Sequence, residues 1–288
     1  MYLGKINKQS IAISGFTSVL ETIHTPPKQL YIIGSLPTNR PPTVAIIGSR
    51  KPTPYGADVT HKLASDLARS GVVVISGLAL GIDAIAHTAA LEAGGTTIAI
   101  LANGLHKVYP VSHAGLARDI IAKGGAIISE YEAGVEARPY FFLARNRLVS
   151  GLADAVIVTE ATERSGTLST VAHALEQNKE VFAVPGPITS LLSAGPNRLL
   201  QQGARVALEA KDILEVIAPH LLAKQSSLPL GYTNLETRII SLLQQGIRDG
   251  ELLKQQSNSQ TGEFLRALTM LELNGTIRSV GANQWTLR

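Results

Sequence analysis

From position 43 to position 217 the chain alternates short β-branched apolar runs with longer helical patterns, and this alternation constrains the fold more than any other feature. The runs lie at 44–48, 72–76, 97–101, 126–129, 155–159 and 181–184, with a shorter one at 205–208. None places a polar residue at every second position, so neither face of such a strand is built for water. Helical spacing fills the intervals at 55–70, 82–93, 113–123, 142–152, 168–177 and 212–217. Strict β/α alternation with crossovers of this length predicts a doubly wound parallel sheet with helices on both faces. Ligands of such sheets bind beyond the carboxyl ends of the strands.

Those ends read Gly48-Ser49-Arg50, SGLALG at 76–81, Ala102-Asn103-Gly104, Ser129-Glu130, Glu160 followed by RSGT at 164–167, and Pro185-Gly186-Pro187. Small residues at so many ends let a ligand approach the backbone closely. Any one of them alone is an ordinary turn. The first loop, GSRKPTPYG, lacks the G-x-G-x-x-G of a dinucleotide site, and no G-x-x-x-x-G-K-[ST] loop occurs. The seven histidines show no H-x-x-x-H or H-E-x-x-H spacing, cysteine is absent, and no serine sits in G-x-S-x-G. We therefore expect no metal, no cofactor and no catalytic nucleophile.

The densest signal is FFLARNRLVSGLADAVIVTEATERSGTLSTVAHALE at 141–176. It reads as a helix, an apolar strand, a loop at 160–166 and a second helix opening at 167 or 168. Arg164, Ser165, Gly166 and Thr167 fall at that opening, where unpaired N–H groups and a partial positive charge favour anions. In the preceding helix Arg145 and Arg147 stand two residues, hence about 200°, apart. They do not share a face, so at least one turns inward or across a groove. The alternative reading is a structural arginine paired with Asp154, Glu160 or Glu163. Just upstream, RPYFFLARNR sets Tyr140, Phe141 and Phe142 among basic residues in a chain only 5% aromatic. Three successive helical residues face about 100° apart, so the trio cannot all be core.

The flanks differ in style. Positions 1–42 read as a lead-in, with a short helix at 11–23 stopped by Pro26-Pro27 and an extended edge segment at 30–36. Positions 219–233 read as a linker. The tail, 234–288, carries helical patterns at 235–243, 251–255 and 262–273, then two strands at 276–280 and 284–287. Three helices and a β-wing predict a small C-terminal winged-helix domain. Its six basic residues face five acidic ones, and its third helix, TGEFLRALTMLELNG, holds Arg266 as its one base. A packing or protein-interaction module is therefore the competing reading of the tail. The whole chain has a net charge of +4 and a pI near 9.3, a mild lean toward polyanions. No apolar run reaches the roughly 18 residues of a membrane span, and the N-terminus lacks a signal-peptide pattern. Together with the missing cysteines this points to a cytoplasmic protein.

Seven stretches carry a family resemblance: GSR at 48–50, SGLALGID at 76–83, LANGLHKVYP at 101–110, GGAIISEY at 124–131, FFLARNRLVSGLADAVIVTEA at 141–161, RSGTLST at 164–170 and EVFAVPGPI at 180–188. In this order they resemble the DNA processing protein A (DprA/Smf) family, over roughly 25–218. The resemblance implies a Rossmann-like domain that binds single-stranded DNA, forms a homodimer, protects incoming strands and loads RecA recombinase in natural transformation. It implies no enzyme activity. By motif, Arg50 grips a backbone phosphate beside the N–H groups of Gly48 and Ser49. Arg138 holds the basic position ahead of the aromatic pair, and Phe141 stacks on a base. Arg145, Asn146 and Arg147 form an RNR motif, and Arg164, Ser165, Gly166 and Thr167 cradle an anion. One departure is plain: members often begin with an extra helical domain, for which residues 1–24 are too few.

Two other readings use the same architecture. Nucleotide phosphoribohydrolases carry P-G-G-x-G-T-x-x-E, whose Glu serves glycosidic cleavage. Here ATERSGTLSTVAH puts Thr170 at that place, which removes the general acid. A sensor of small nucleotides that signals to the tail is the third reading.

Overall fold

The computed structural model of the chain describes residues 7–9, 15–225 and 233–287. The chain divides into two compact units, Met1–Leu221 and Leu222–Arg288. In the first, nine strands form one sheet: β1 (Asn7–Gln9), β2 (Leu30–Gly34), β3 (Thr43–Ile47), β4 (Val73–Ser76), β5 (Thr97–Leu101), β6 (Ala126–Ser129), β7 (Ala155–Val158), β8 (Glu180–Ala183) and β9 (Arg205–Val206). Their spatial order is β1-β2-β6-β5-β4-β3-β7-β8-β9. Every pair from β6 to β9 is parallel, and β1 and β2 add antiparallel strands at one side. The chain winds from β3 outward to β6, then crosses back to β7 on the other side of β3. That reversal opens a crevice between the carboxyl ends of β3 and β7.

The helices follow the strands: α1 (Pro54–Arg69), α2 (Ile82–Glu92), α3 (Ala114–Ala122), α4 (Pro139–Leu152), α5 (Thr167–Glu176), α6 (Ala194–Gln201), α7 (Ala210–Ile217) and α8 (Pro219–Gln225). Strand periodicity sorts the core into two layers. Ile98 and Ile100 of β5 pack with Ala45, Ile47, Ile128, Leu148 and Leu152, together with Leu20 from a 3-10 helix, Ser18–Thr22, and Phe16 just before it. Ala99 and Leu101 face the other way, toward Ile127, Leu78, Leu91 and Ile120. Each such Val, Leu or Ile contributes about 1.5–3 kcal/mol by leaving water, which is why the strands read as uninterrupted apolar runs.

Local signals set the helix starts. Thr53 caps α1, its Oγ1 accepting the Gly56 N–H at 3.1 Å, and Pro54 occupies the first helical position. Gly81 caps α2 at φ +78°, and a Cβ there would strike the backbone of Ser49 and Arg50. The loops after β3 and β4 thus interlock.

Several expectations shift. α4 opens at Pro139, three residues earlier than its apolar spacing indicates, because proline is tolerated at a first turn. The extended segment at 30–36 is β2, but it is not an edge, since β1 pairs outside it. The lead-in is therefore part of the main sheet. The helix read at 11–23 is the 3-10 turn Ser18–Thr22, and 11–14 lie outside the described residues. The stretch read as a linker opens with α8, and 226–232 lie outside the described residues.

The second unit contains α9 (Asn234–Gln244), α10 (Gly250–Ser257), α11 (Thr261–Leu273) and a hairpin of β10 (Ile277–Gly281) and β11 (Gln284–Leu287). Thr233 and Glu236 form a reciprocal capping box on α9, and Asp249 caps α10. Ile239, Ile240, Leu243, Leu253, Phe264, Leu268 and Leu271 make its small core.

Candidate nucleic-acid interface

At the β3/β7 crevice lies a cleft of about 370 Å³. Ile47 ends β3, Gly48 and Arg50 come from the loop after it, Gly77 and Ala79 from the turn into α2, and Asp83 from the first turn of α2. Phe142, Arg145 and Asn146 come from α4, and Ser165, Gly166, Thr167 and Thr170 from the start of α5. Loops far apart in sequence therefore meet at one place.

The floor is Arg145, only 5% exposed. Its Nη1 donates to the carbonyl oxygens of Gly77, at 2.9 Å, and Ile100. Its Nε donates to Asn146 Oδ1 at 3.3 Å. Asp83 Oδ2 accepts the N–H groups of Gly77 (3.0 Å) and Ala79 (3.3 Å). Gly77 therefore bridges a buried cation and a buried carboxylate, and a Cβ there would stand 2.5–2.6 Å from three guanidinium atoms. Burial lowers the Arg145 pKa to about 10 against the pull of Asp83, so it stays charged at neutral pH. Burial likewise raises the Asp83 carboxyl, opposed first by Arg145 and then by the two N–H groups.

His87 lies behind this floor, fully buried in α2. Thr97 Oγ1 donates to Val74 O at 2.7 Å and so accepts His87 Nδ1–H at 2.6 Å. Nε2 is left bare, without a partner among the described residues. Burial drives this imidazole down to about 3, helped by His113 and Arg145.

The other two members of the RNR motif are also engaged internally. Asn146 Nδ2 donates to Ser169 Oγ at 2.8 Å, tying α4 to α5. Arg147 Nη2 meets Glu130 Oε1 at 2.7 Å, and its Nε donates to Thr25 O at 2.9 Å. Arg145 turns inward and Arg147 reaches Glu130 and Thr25, so the two do not share a face, as their spacing indicates. Their partners are not the nearby acids. Asp154 pairs with Arg40 at 2.6 Å and accepts the Thr43 N–H. Glu160, buried, accepts the N–H of Thr53 at 2.8 Å and its hydroxyl at 2.5 Å, holding the start of α1.

Two loop details alter the anion cradle read from sequence. The Ser49 N–H donates to Glu160 O at 2.7 Å, so it is not open to a phosphate. A Cβ at Gly48 would lie 2.7 Å from Ile82 Cγ1, so that glycine serves the fit between loops. At α5 the N–H of Thr167 goes to Ser165 Oγ (3.1 Å), that of Leu168 to Ser165 O (3.0 Å) and that of Ser169 to Gly166 O (3.2 Å). Thr167 Oγ1 donates to Gly48 O at 3.2 Å and stitches the loops together. Gly166 faces open space.

The exposed charge comes from Arg50, which lines the cleft, from Arg164, next to the lining Ser165, and from Arg138, at the N-cap of α4; these are the rim arginines. Arg50, Arg138 and Arg164 are exposed, and none has a carboxylate partner among the described residues. The Arg50 guanidinium lies 5.6 Å from the centre of the Phe142 ring, a cation–π contact. Phe141 is half-buried, between Tyr131 (centroids 4.2 Å) and Tyr140 (4.3 Å). Tyr140 is the exposed member of the trio, because α4 starts at Pro139 and turns Tyr140 outward. Sequence reading did not single out Asp83, Tyr109 or Tyr131 as parts of this region, and it gave Phe142 no role beside Arg50. An acid just inside a helix that follows SGLALG was the available signal for Asp83. The tyrosines lie in other loops and become neighbours only through the sheet order.

The profile of the family DNA recombination-mediator protein A matches residues 10–218. The chain belongs to that family. Protein Smf of Escherichia coli is 44% identical over 189 residues, which cover 66% of this chain and 50% of Smf. DNA processing protein DprA of Bacillus subtilis is 39% identical over 211 residues, covering 73% of this chain and 71% of that protein. The chain thus matches only half the length of the E. coli relative. Among solved structures, DNA processing protein A from Helicobacter pylori superposes with a TM-score of 0.66 at 34% identity, over 78% of this chain and 99% of that one. That structure is described as giving insight into a single-stranded DNA binding mode. The matched family region contains the cleft, its floor and all three rim arginines.

Proposed function

We propose that the chain is a non-catalytic recombination mediator that binds single-stranded DNA across the mouth of the β3/β7 cleft. The observation that carries this reading is the set of exposed arginines, Arg50, Arg138 and Arg164, without carboxylate partners among the described residues, with Arg50 lying over Phe142 in a group of aromatic rings. A single strand needs cations for its phosphates and flat rings for its bases, and this rim supplies both. The single-strand binding described for the H. pylori homologue supports the same reading. Within it, the protein works as a cytoplasmic homodimer that shields incoming strands during natural transformation and passes them to RecA recombinase. The second unit acts as a winged-helix module. The reading includes no nucleotide hydrolysis: Thr170 lines the cleft where the hydrolases' Glu would stand. Anisotropy titrations with a single-stranded oligonucleotide and its duplex test the proposal. It predicts tighter binding of the single strand, and no base released from purine monophosphates. Equal or stronger binding of the duplex, or saturable base release, would contradict it.

A further inference from the structure

The aromatic residues near the cleft form two separate sets. In one, Phe141 lies between Tyr131 and Tyr140, with the Tyr140 and Phe141 rings tilted by 57°. In the other, Phe142 contacts Tyr109 at 5.5 Å, tilted by 56°, and lies under Arg50. Phe141 and Phe142 are neighbours in the first turn of α4, so they project about 100° apart and each backs a different ring. The outer member of each set is a tyrosine in solvent: Tyr140 is 56% exposed and Tyr109 48%. A tilted contact occupies one side of a ring and leaves the other open.

Single exposed aromatics are common and need no function. Here the chain holds seven tyrosines and five phenylalanines in all, and three of the former and two of the latter make ring contacts at the start of α4, where Phe142 lines the cleft. Each exposed tyrosine is supported from behind by a half-buried phenylalanine, which fixes its plane at low entropic cost. Each set also has an unpaired cation close in structure or sequence: Arg50 over Phe142, and Arg138 two residues before Tyr140. Ring faces beside unpaired cations fit unpaired nucleobases on a phosphate backbone, and a duplex would hide those base faces.

We propose that Tyr109 and Tyr140 are two base-stacking platforms, each receiving one unpaired nucleobase, and that Phe141 and Phe142 are their supports. This rests on the single-strand reading above and moves the stacking role from Phe141 to the two tyrosines.

The test compares a thymidine oligonucleotide with an abasic oligonucleotide of equal length, which keeps every phosphate and lacks every base. The full chain should prefer the thymidine strand, since each stacked base is worth roughly 5- to 150-fold in affinity. The double variant Tyr109→Ala, Tyr140→Ala should bind both strands alike, with abasic affinity and salt slope unchanged. The variant Tyr109→Phe, Tyr140→Phe should keep the preference, because stacking uses the ring and not the hydroxyl. An alanine pair that keeps the preference, or one that loses abasic binding as well, overturns the proposal. So does a full chain that holds both strands equally, which would leave single-strand binding standing without base platforms. A full chain that binds neither strand removes the underlying reading too.

Discussion

Arg145 sits at the floor of the cleft, and Arg50 stands at its rim. They line the same space and carry the same charge. Arg145 spends its donors on Gly77, Ile100 and Asn146, within reach of the Asp83 charge. Arg50 has a ring beneath it and solvent around it. A buried guanidinium with its donors engaged has little left to offer a ligand, and its loss leaves uncompensated polar groups behind. An exposed one adds little to folding and keeps its donors for a phosphate. The contrast separates what holds the β3/β7 crevice in shape from what uses it.

The largest effect that should follow is on folding. Arg145→Leu leaves two buried carbonyls without their donor and removes the positive charge near Asp83, at a cost of roughly 1–3 kcal/mol for each unsatisfied group. Chemical denaturation would measure this, and an unchanged midpoint would erase the distinction between floor and rim.

A smaller, pH-dependent effect comes from His87. Its folded pKa, about 3, lies below the ordinary 6.5, so between these values only the unfolded chain takes up the proton. Its contribution to stability is therefore complete above about pH 6.5 and shrinks as pH falls toward 3, by up to about 1.4 kcal/mol per unit. His87→Gln, which takes up no proton, should lose less stability between pH 6.5 and 4.5 than the parent chain. Equal losses would remove His87 from the acid sensitivity of the floor.

Smaller again is the cost of Glu160→Ala, about 1–3 kcal/mol, from leaving the half-buried Thr53 donors at the start of α1 without their acceptor. Oligonucleotide affinity measured well below the melting temperature should not change, since Glu160 faces the protein. A selective loss of binding would make Glu160 part of the rim.

The doubly wound sheet was legible because strands covered on both faces leave uninterrupted apolar runs. What escaped had a physical reason in each case. β1 is three residues long and too short for any period. α6 contains Gly195-Pro196, which looks like a break but falls in the first turn, where proline is tolerated. The spacing of Arg145 and Arg147 foretold that they part company, while their partners, Gly77, Ile100 and Glu130, come from other strand ends. The exposed arginines were legible as loop residues. That Ser49 has no free N–H, and that Tyr140 rather than Phe141 faces solvent, depends on loop contacts and on one turn of helix.

The central claim is that the rim arginines, and not the floor, hold a phosphate backbone. Salt dependence of single-strand affinity, measured for the parent chain and for Arg50→Ala, addresses it most directly. Each neutralised phosphate contributes a slope of roughly −0.7 in log affinity against log salt. Arg50→Ala should bind more weakly and flatten the slope by a little under one unit, with its denaturation midpoint unmoved. An unchanged affinity and slope would contradict the account, as would a loss of binding that only follows a loss of folded protein.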